Sequence, residues 1–254
     1  DYLVNFLSGD PGISLRTQQP VLDTVLLPLF NSFILIAPAI TLGYVIGSSL
    51  GVLFGTNRNS RLERLGTIGT VFVGTVPIFF FGILLIVIFS GWLDWLPSSG
   101  ILSPVEAGKY ADAAWWRPYL SQDFALHYVL PFATIAIRYA NLPTLIMRTS
   151  VVEVMGQDHT EYHRLTGLGS AKRLRHIAKH ASLPVITIYP VSLARALGGV
   201  VLIETVFNWP CIGFTLVEAV LGRDYPVVQF VFFVVATFVI LSNFVVDLVY
   251  GVID

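Results

Sequence analysis

Apolar residues in this chain gather into five long runs, at 29–54, 65–90, 126–147, 183–207 and 227–251. Each reaches the length of about 20 residues that a helix needs to cross roughly 30 Å of hydrocarbon. They are too long and too unbroken for barrel strands, which carry about ten alternating residues. In lipid, helices and closed barrels are the structures that satisfy every backbone group. The pattern therefore predicts an all-α membrane protein, a polytopic helical bundle with five transmembrane helices visible. Pro38, Pro77, Pro131 and Pro143 fall inside the runs, where neighbouring helices can satisfy the freed carbonyls, and kinks are expected near them.

The polar connections orient the bundle. The linker 55–64 holds Arg58, Arg61 and Arg64, and the loop 148–182 holds Arg148, Arg164, Lys172, Arg173, Arg175 and Lys179. Arg16, Lys109, Arg117 and Arg223 are spread over the opposite segments. Lys and Arg accumulate on the cytoplasmic side, so the visible N-terminus is expected outside and the C-terminus in the cytoplasm. Trp92, Trp95, Trp115, Trp116 and Trp209 fall in or beside the outer loops, as an interfacial aromatic belt would place them.

Composition agrees with the runs. Mean hydropathy is +0.74, and charged residues are 12% of the chain against about 25% in soluble domains. The net charge of -1 gives no reason to expect a nucleic-acid partner. One cysteine, Cys211, can form neither an internal disulfide nor a CxxC site. Asp1 opens the chain without an initiator Met or a signal region, so the sequence reads as starting inside a longer product.

Two catalytic patterns fall short. His159 and His163, and again His176 and His180, are spaced i, i+4 and could share a metal, but Glu161 does not directly follow His159 as a metalloprotease helix requires. No metal or other cofactor is expected. The pair Gly108-Lys109 is followed by Tyr110, so there is no phosphate-binding loop ending in Lys-Ser or Lys-Thr. The chain is not expected to hydrolyse ATP itself.

Between the third and fourth runs, 157–184 is too polar for lipid and reads as a helix-turn-helix elbow. Helix to Thr166 ends at Gly167, which can adopt the left-handed conformation; Leu168 makes the apolar contact and Ser170 caps the next helix. Lys172 and Arg173 then occupy that helix's first turn, where the macrodipole disfavours positive charge. Cytoplasmic retention or a partner surface explains them better than helix stability does.

These residues resemble the permease subunits of dipeptide and oligopeptide ABC importers. Glu161 to Gly167, followed by Leu183-Pro184, is similar to the EAA loop of importer permeases, with Tyr162 and His163 where the general pattern has two alanines. The flanking stretches also resemble that subfamily: Arg148 to Val154, Gly156-Gln157-Asp158, Arg175-His176, Ala181 to Pro184, Gly9 to Gly12, Ser14-Leu15-Arg16, Glu204 to Pro210, Arg223 to Gln229 and Val246 to Tyr250. The family usually has Gly where Cys211 stands, so a less sharp turn after Pro210 is expected.

The resemblance implies a type I importer fold with one further membrane helix before the visible five. It implies an extracytoplasmic segment 1–24 and a transmembrane permease domain 25–254, whose cytoplasmic loop 148–182 couples to a separate ATPase. Asp158, Glu161, Arg164, Gly167, Ser170, Leu183 and Pro184 would form the coupling loop. The implied partners are a second homologous permease subunit, two ATP-binding subunits, an extracytoplasmic substrate-binding protein, membrane lipid and a short peptide substrate. The location would be the prokaryotic inner membrane.

Polar residues inside spans are costly and mark pathways by default; Arg138, Asn141, Arg195, Glu204 and Asp247 are the candidates. Interhelical pairing and snorkelling are open beside that reading. So is a secondary transporter or channel not driven by ATP, which composition fits equally well and which the basic elbow argues against.

Overall fold

In the computed structural model, residue 6 and residues 9–110, 112–157 and 169–253 are described. Every named element among them is helical. The order is α1 Val21–Thr56, α2 Arg61–Thr75, α3 Ile78–Ile86 continuing as a π turn Val87–Trp92, α4 Pro104–Lys109, α5 Gln122–Met155, α6 Ser170–Ala181, α7 Leu183–Gly199, α8 Val201–Val206, α9 Ile212–Leu221 and α10 Tyr225–Ile253. Three helices, α1, α5 and α10, are long and apolar enough to cross a membrane, and the α2/α3 pair makes a fourth if its bent halves count as one span.

Two of the expected runs are therefore not single rods. The second breaks between Thr75 and Ile78 with a bend of 100°, at the kink expected near Pro77, since proline removes a backbone donor and disfavours helix in the residue before it. The fourth breaks at Val200, where α7 stops and the single-turn α8 begins. By contrast, α1 runs through Pro28 and Pro38, and α5 through Pro131 and Pro143.

The chain divides into two compact units, each built from discontinuous segments. One comprises residues 1–38, 78–134 and 193–245. Its core gathers Val21 and Val25 of α1, Ile212 and Ala219 of α9, and Val227 and Val231 of α10. Trp209 belongs to this unit and is 1% exposed, with its ring 5.9 Å from Phe124 and 6.1 Å from Tyr128. It is a core residue rather than part of an interfacial belt, whereas Trp92, Trp95, Trp115 and Trp116 are exposed. The reason is local: Trp209 sits in a reverse turn, held by its N–H to the Glu204 carbonyl, that folds it inward.

The other unit comprises residues 39–77, 135–192 and 246–254. Its organising contact is a glycine row on α1, Gly43, Gly47, Gly51 and Gly55, pressed against α5. A methyl added at Gly43 would lie 2.5 Å from the Ala136 carbonyl oxygen, one at Gly51 2.5 Å from Met147 Cβ, and one at Gly55 2.6 Å from Val151 Cγ1. Small residues four apart let two backbones meet in this way, which is how helices associate where lipid removes the hydrophobic drive.

Candidate functional site

The elbow's second helix is present as α6, Ser170–Ala181, with Ile177 and Ala181 buried and Lys172, Arg175 and Lys179 exposed. Lys172 and Arg173 occupy its first turn, which holds no acidic residue. Its N-cap differs from expectation. Gly169 holds that position without a side-chain cap, and Ser170 is already the first helical residue. Leu183 and Pro184 open α7, Pro184 in the first turn where its missing N–H costs nothing. Asp158, Glu161, Arg164 and Gly167 lie outside the described residues, as do His159 and His163. Among the described residues no group of three or more His, Cys, Asp or Glu is placed to hold a metal ion.

The two arginine-bearing segments meet at an ion pair between Glu63 and Arg148. Arg148 of α5 donates to Glu63 Oε1 through Nε at 2.8 Å and also through Nη2. Glu63 has a second task. Ser60 caps α2 by accepting the Glu63 N–H at 3.0 Å, and Glu63 Oε2 reaches back to accept the Asn59 N–H at 3.2 Å. Asn59 is left-handed, φ +67°, a conformation asparagine tolerates better than most residues. Glu63 was not among the sequence candidates. The signal was there, because Ser60-x-x-Glu63 is a capping box.

Of the five pathway candidates, the Asp247 side chain lies outside those described, and the other four fall into different settings. Arg138 is half-buried and Arg195 exposed. Asn141 donates through Nδ2 to the Thr70 carbonyl of α2 at 2.5 Å, and a methyl at Gly74 would collide with that same side chain. Glu204 is 1% exposed. Its Oε2 accepts the Phe214 N–H, so a side chain from α8 caps the start of α9. Ser32 accepts the Ile212 N–H at 2.8 Å, and Asn31 donates to the Pro210 carbonyl at 2.8 Å. Buried side chains thus serve two of the N-terminal amides that a helix leaves unpaired. The turn into α9 needs no glycine at Cys211, where φ is −106°; the left-handed residue is Asn208, φ +47°.

The segment before α1 is tied to the loop between α9 and α10. Asp224, 2% exposed, accepts from the Ser14 hydroxyl at 2.5 Å, the Leu15 N–H at 3.1 Å and the Arg16 N–H at 3.4 Å. Arg16 also pairs with Glu218 at 3.1 Å. Burial pushes the Asp224 carboxyl up, but these donors and the Val227 N–H outweigh it and hold it below the usual carboxylate range.

Residues 43–254 match the family model described as binding-protein-dependent transport system inner membrane component. The chain belongs to that family. It is a permease subunit of a binding-protein-dependent ABC importer, a multi-pass protein of the bacterial inner membrane, and such subunits lack ATPase activity. The family works with ATPase subunits, a binding protein and a partner permease. The permease is similar along its whole length to several curated proteins. It is 32% identical over 254 residues to the glutathione transport system permease protein GsiC of Pectobacterium atrosepticum, covering 100% of this chain and 76% of that one. Against the dipeptide transport system permease protein DppB of Escherichia coli K12 it is 32% identical over 270 residues, covering 100% and 78%. Against the di/tripeptide transport system permease protein DppB of Pseudomonas aeruginosa it is 32% identical over 275 residues, covering 99% and 77%.

Proposed function

We propose that this permease carries short peptides inward, driven by two ATP-binding subunits that engage its cytoplasmic loop 148–182. The supporting observation is that relatives named for dipeptide, di/tripeptide and glutathione transport are about equally similar to it along its full length. Their cargoes share one chemistry, a chain of two or three amino acids with charged ends. A second homologous permease subunit completes the pathway, and an extracytoplasmic binding protein delivers the peptide to the outer segments, including 1–24.

If the bent α2/α3 pair makes one crossing, and α7 and α8 together one further crossing, beside α1, α5 and α10, then 55–64 and 148–182 share a side. The Glu63–Arg148 pair supports that arrangement, and the positive charge of both segments makes that side cytoplasmic. In the proposed coupling loop, Glu161 is assigned the contact with the ATPase, Asp158, Arg164, Gly167 and Ser170 belong to the same loop, and Leu183 and Pro184 pass displacement to α7. As polar residues inside apolar runs, Arg138, Asn141, Arg195 and Glu204 are the proposed pathway residues.

The reading is tested by reconstituting the complete importer in proteoliposomes and following labelled dipeptide, tripeptide and glutathione. Uptake of at least one that requires both ATP and the binding protein supports it. Uptake that persists without the ATPase would return a secondary carrier or channel. A Gly167→Val importer that assembles and transports normally would remove the role given to the elbow's turn.

A further inference from the structure

We infer that Glu63 is a positioning residue for transport, the strut through which displacement of the coupling loop reaches the turn between α1 and α2. This rests on the proposed role of loop 148–182. The helix α5 runs without a break from Gln122 to Met155, so Arg148 sits within two turns of the end that leads into that loop. Any shift of that end carries the Arg148 guanidinium with it.

Glu63 receives the guanidinium with one oxygen and holds the turn with the other. Two nitrogens of Arg148 converge on Oε1, and Oε2 takes the Asn59 N–H. The turn itself has little slack. Asn57 N–H bonds to the Leu53 carbonyl, Ser60 N–H to the Asn57 carbonyl, and Ser60 Oγ to the Glu63 N–H. Residues 57–63 therefore move as one piece with the ends of both helices they join. The side chains of Glu63 and Arg148 are 11% and 28% exposed, so the pair is more shielded from solvent than an ordinary surface bridge. Losing one partner would leave the other's charge without compensation.

A capping carboxylate alone does not explain the geometry. The Asn59 bond would be served equally well by a glutamate facing water, and Arg148 could snorkel to the surface unaided. Joining them gives α5 a grip on α1 and α2 at the end nearest the motor. The glycine row from Gly43 to Gly55 then keeps α1 against α5 above that grip.

The test uses the intact importer in proteoliposomes, comparing wild type with Glu63→Gln, Arg148→Gln, the double variant and Arg148→Lys. Glutamine at 63 keeps an acceptor for Asn59 while removing the charge. Each assembled complex is measured for ATP hydrolysed and peptide imported. Expected are near-normal amounts of complex, ATP hydrolysis retained within about twofold, and peptide imported per ATP reduced about tenfold in both single variants. The double variant should be no worse than either single one, the mark of a shared pathway, and Arg148→Lys should fall between. Unchanged peptide per ATP in Glu63→Gln and Arg148→Gln would overturn the strut. So would lowered thermal stability with full coupling in whatever complex assembles, because that outcome assigns the pair to folding alone. If wild-type uptake itself ignores ATP, the parent reading has failed instead, and the wild-type control separates the two.

Discussion

Replacing Gly43 with alanine adds one methyl to α1, and the structure says where it goes. The new carbon would sit 2.5 Å from the Ala136 carbonyl oxygen and 3.2 Å from the Ala140 nitrogen, while ordinary packing needs about 3.5 Å or more. Both obstacles are backbone and cannot rotate away, so α1 and α5 must separate by about 1 Å. From Gly43 to Gly55 the helix advances twelve steps, a contact about 18 Å long. A gap of 0.5–1 Å forfeits roughly a quarter to a half of each dispersion well along it. Overpacking of this kind costs about 1–3 kcal/mol, partly offset by the helix preference of alanine over glycine, up to about 1 kcal/mol. The expected net loss is about 1–2 kcal/mol for Gly43→Ala and about 3 kcal/mol for Gly47→Val, whose larger side chain meets both the Ala140 carbonyl and the Pro143 ring. Gly43→Ala with Gly51→Ala should cost less than the sum, since one displacement relieves both. The assay is the thermal midpoint of the detergent-extracted importer. Gly69→Ala is the control, because nothing lies within 4 Å of a methyl there. A Gly43→Ala importer that melts at or above wild type, with Gly69→Ala doing the same, would refute close α1–α5 packing at this row.

Other expectations follow from single contacts. Asp224→Ala releases the part-buried Leu15 and Arg16 amides and leaves the buried Ser14 hydroxyl without its acceptor, at about 1–3 kcal/mol for that buried group, and should sharply raise hydrogen exchange in residues 12–20. Because the folded Asp224 carboxyl lies below its ordinary value, its contribution is fully present above about pH 4 and disappears as pH falls through the folded value. Protection of 12–20 should therefore weaken on acidification in wild type and stay pH-independent, and low, in Asp224→Ala. Glu204→Ala removes an acceptor from the start of α9 and should cost about 1–2 kcal/mol as a lost cap, read as a lower thermal midpoint, whereas Glu204→Gln, which keeps an oxygen, should cost less. Gly213→Ala should act at the same place, since its methyl would lie 2.8 Å from Glu204 Oε1.

What the residues announced on their own was set by how local the physics is. Crossing helices are written in long apolar runs, so α1, α5 and α10 are visible without coordinates, and Pro77 marks its bend. The break at Val200 carries no proline, but Gly198-Gly199 stand directly before it, and glycine weakens a helix interior. Trp209 marks the limit of such local signals. A tryptophan beside a polar loop reads as a lipid anchor until the turn after α8 is seen to fold it inward. Asp224 takes its partners from the other end of the chain, and no spacing rule links Ser14 to Asp224. The glycine row was legible, four residues spaced exactly four apart, once helix contact in lipid is sought in small residues rather than large ones. Glu63 was equally visible as the end of a capping box, but its bond to Arg148 needed the fold.

The central claim is that the polar segment between α5 and α7 faces the cytoplasm and takes force from an ATPase. Single cysteines placed at Lys172, Arg175 and Lys179, in a Cys211→Ser background, test it directly in the assembled importer. They should react with a membrane-impermeant thiol reagent in inside-out vesicles alone, and should crosslink to the ATP-binding subunit with an efficiency that changes when ATP is added. Labelling from the extracytoplasmic side, or crosslinking that never reaches the ATPase, would contradict the account.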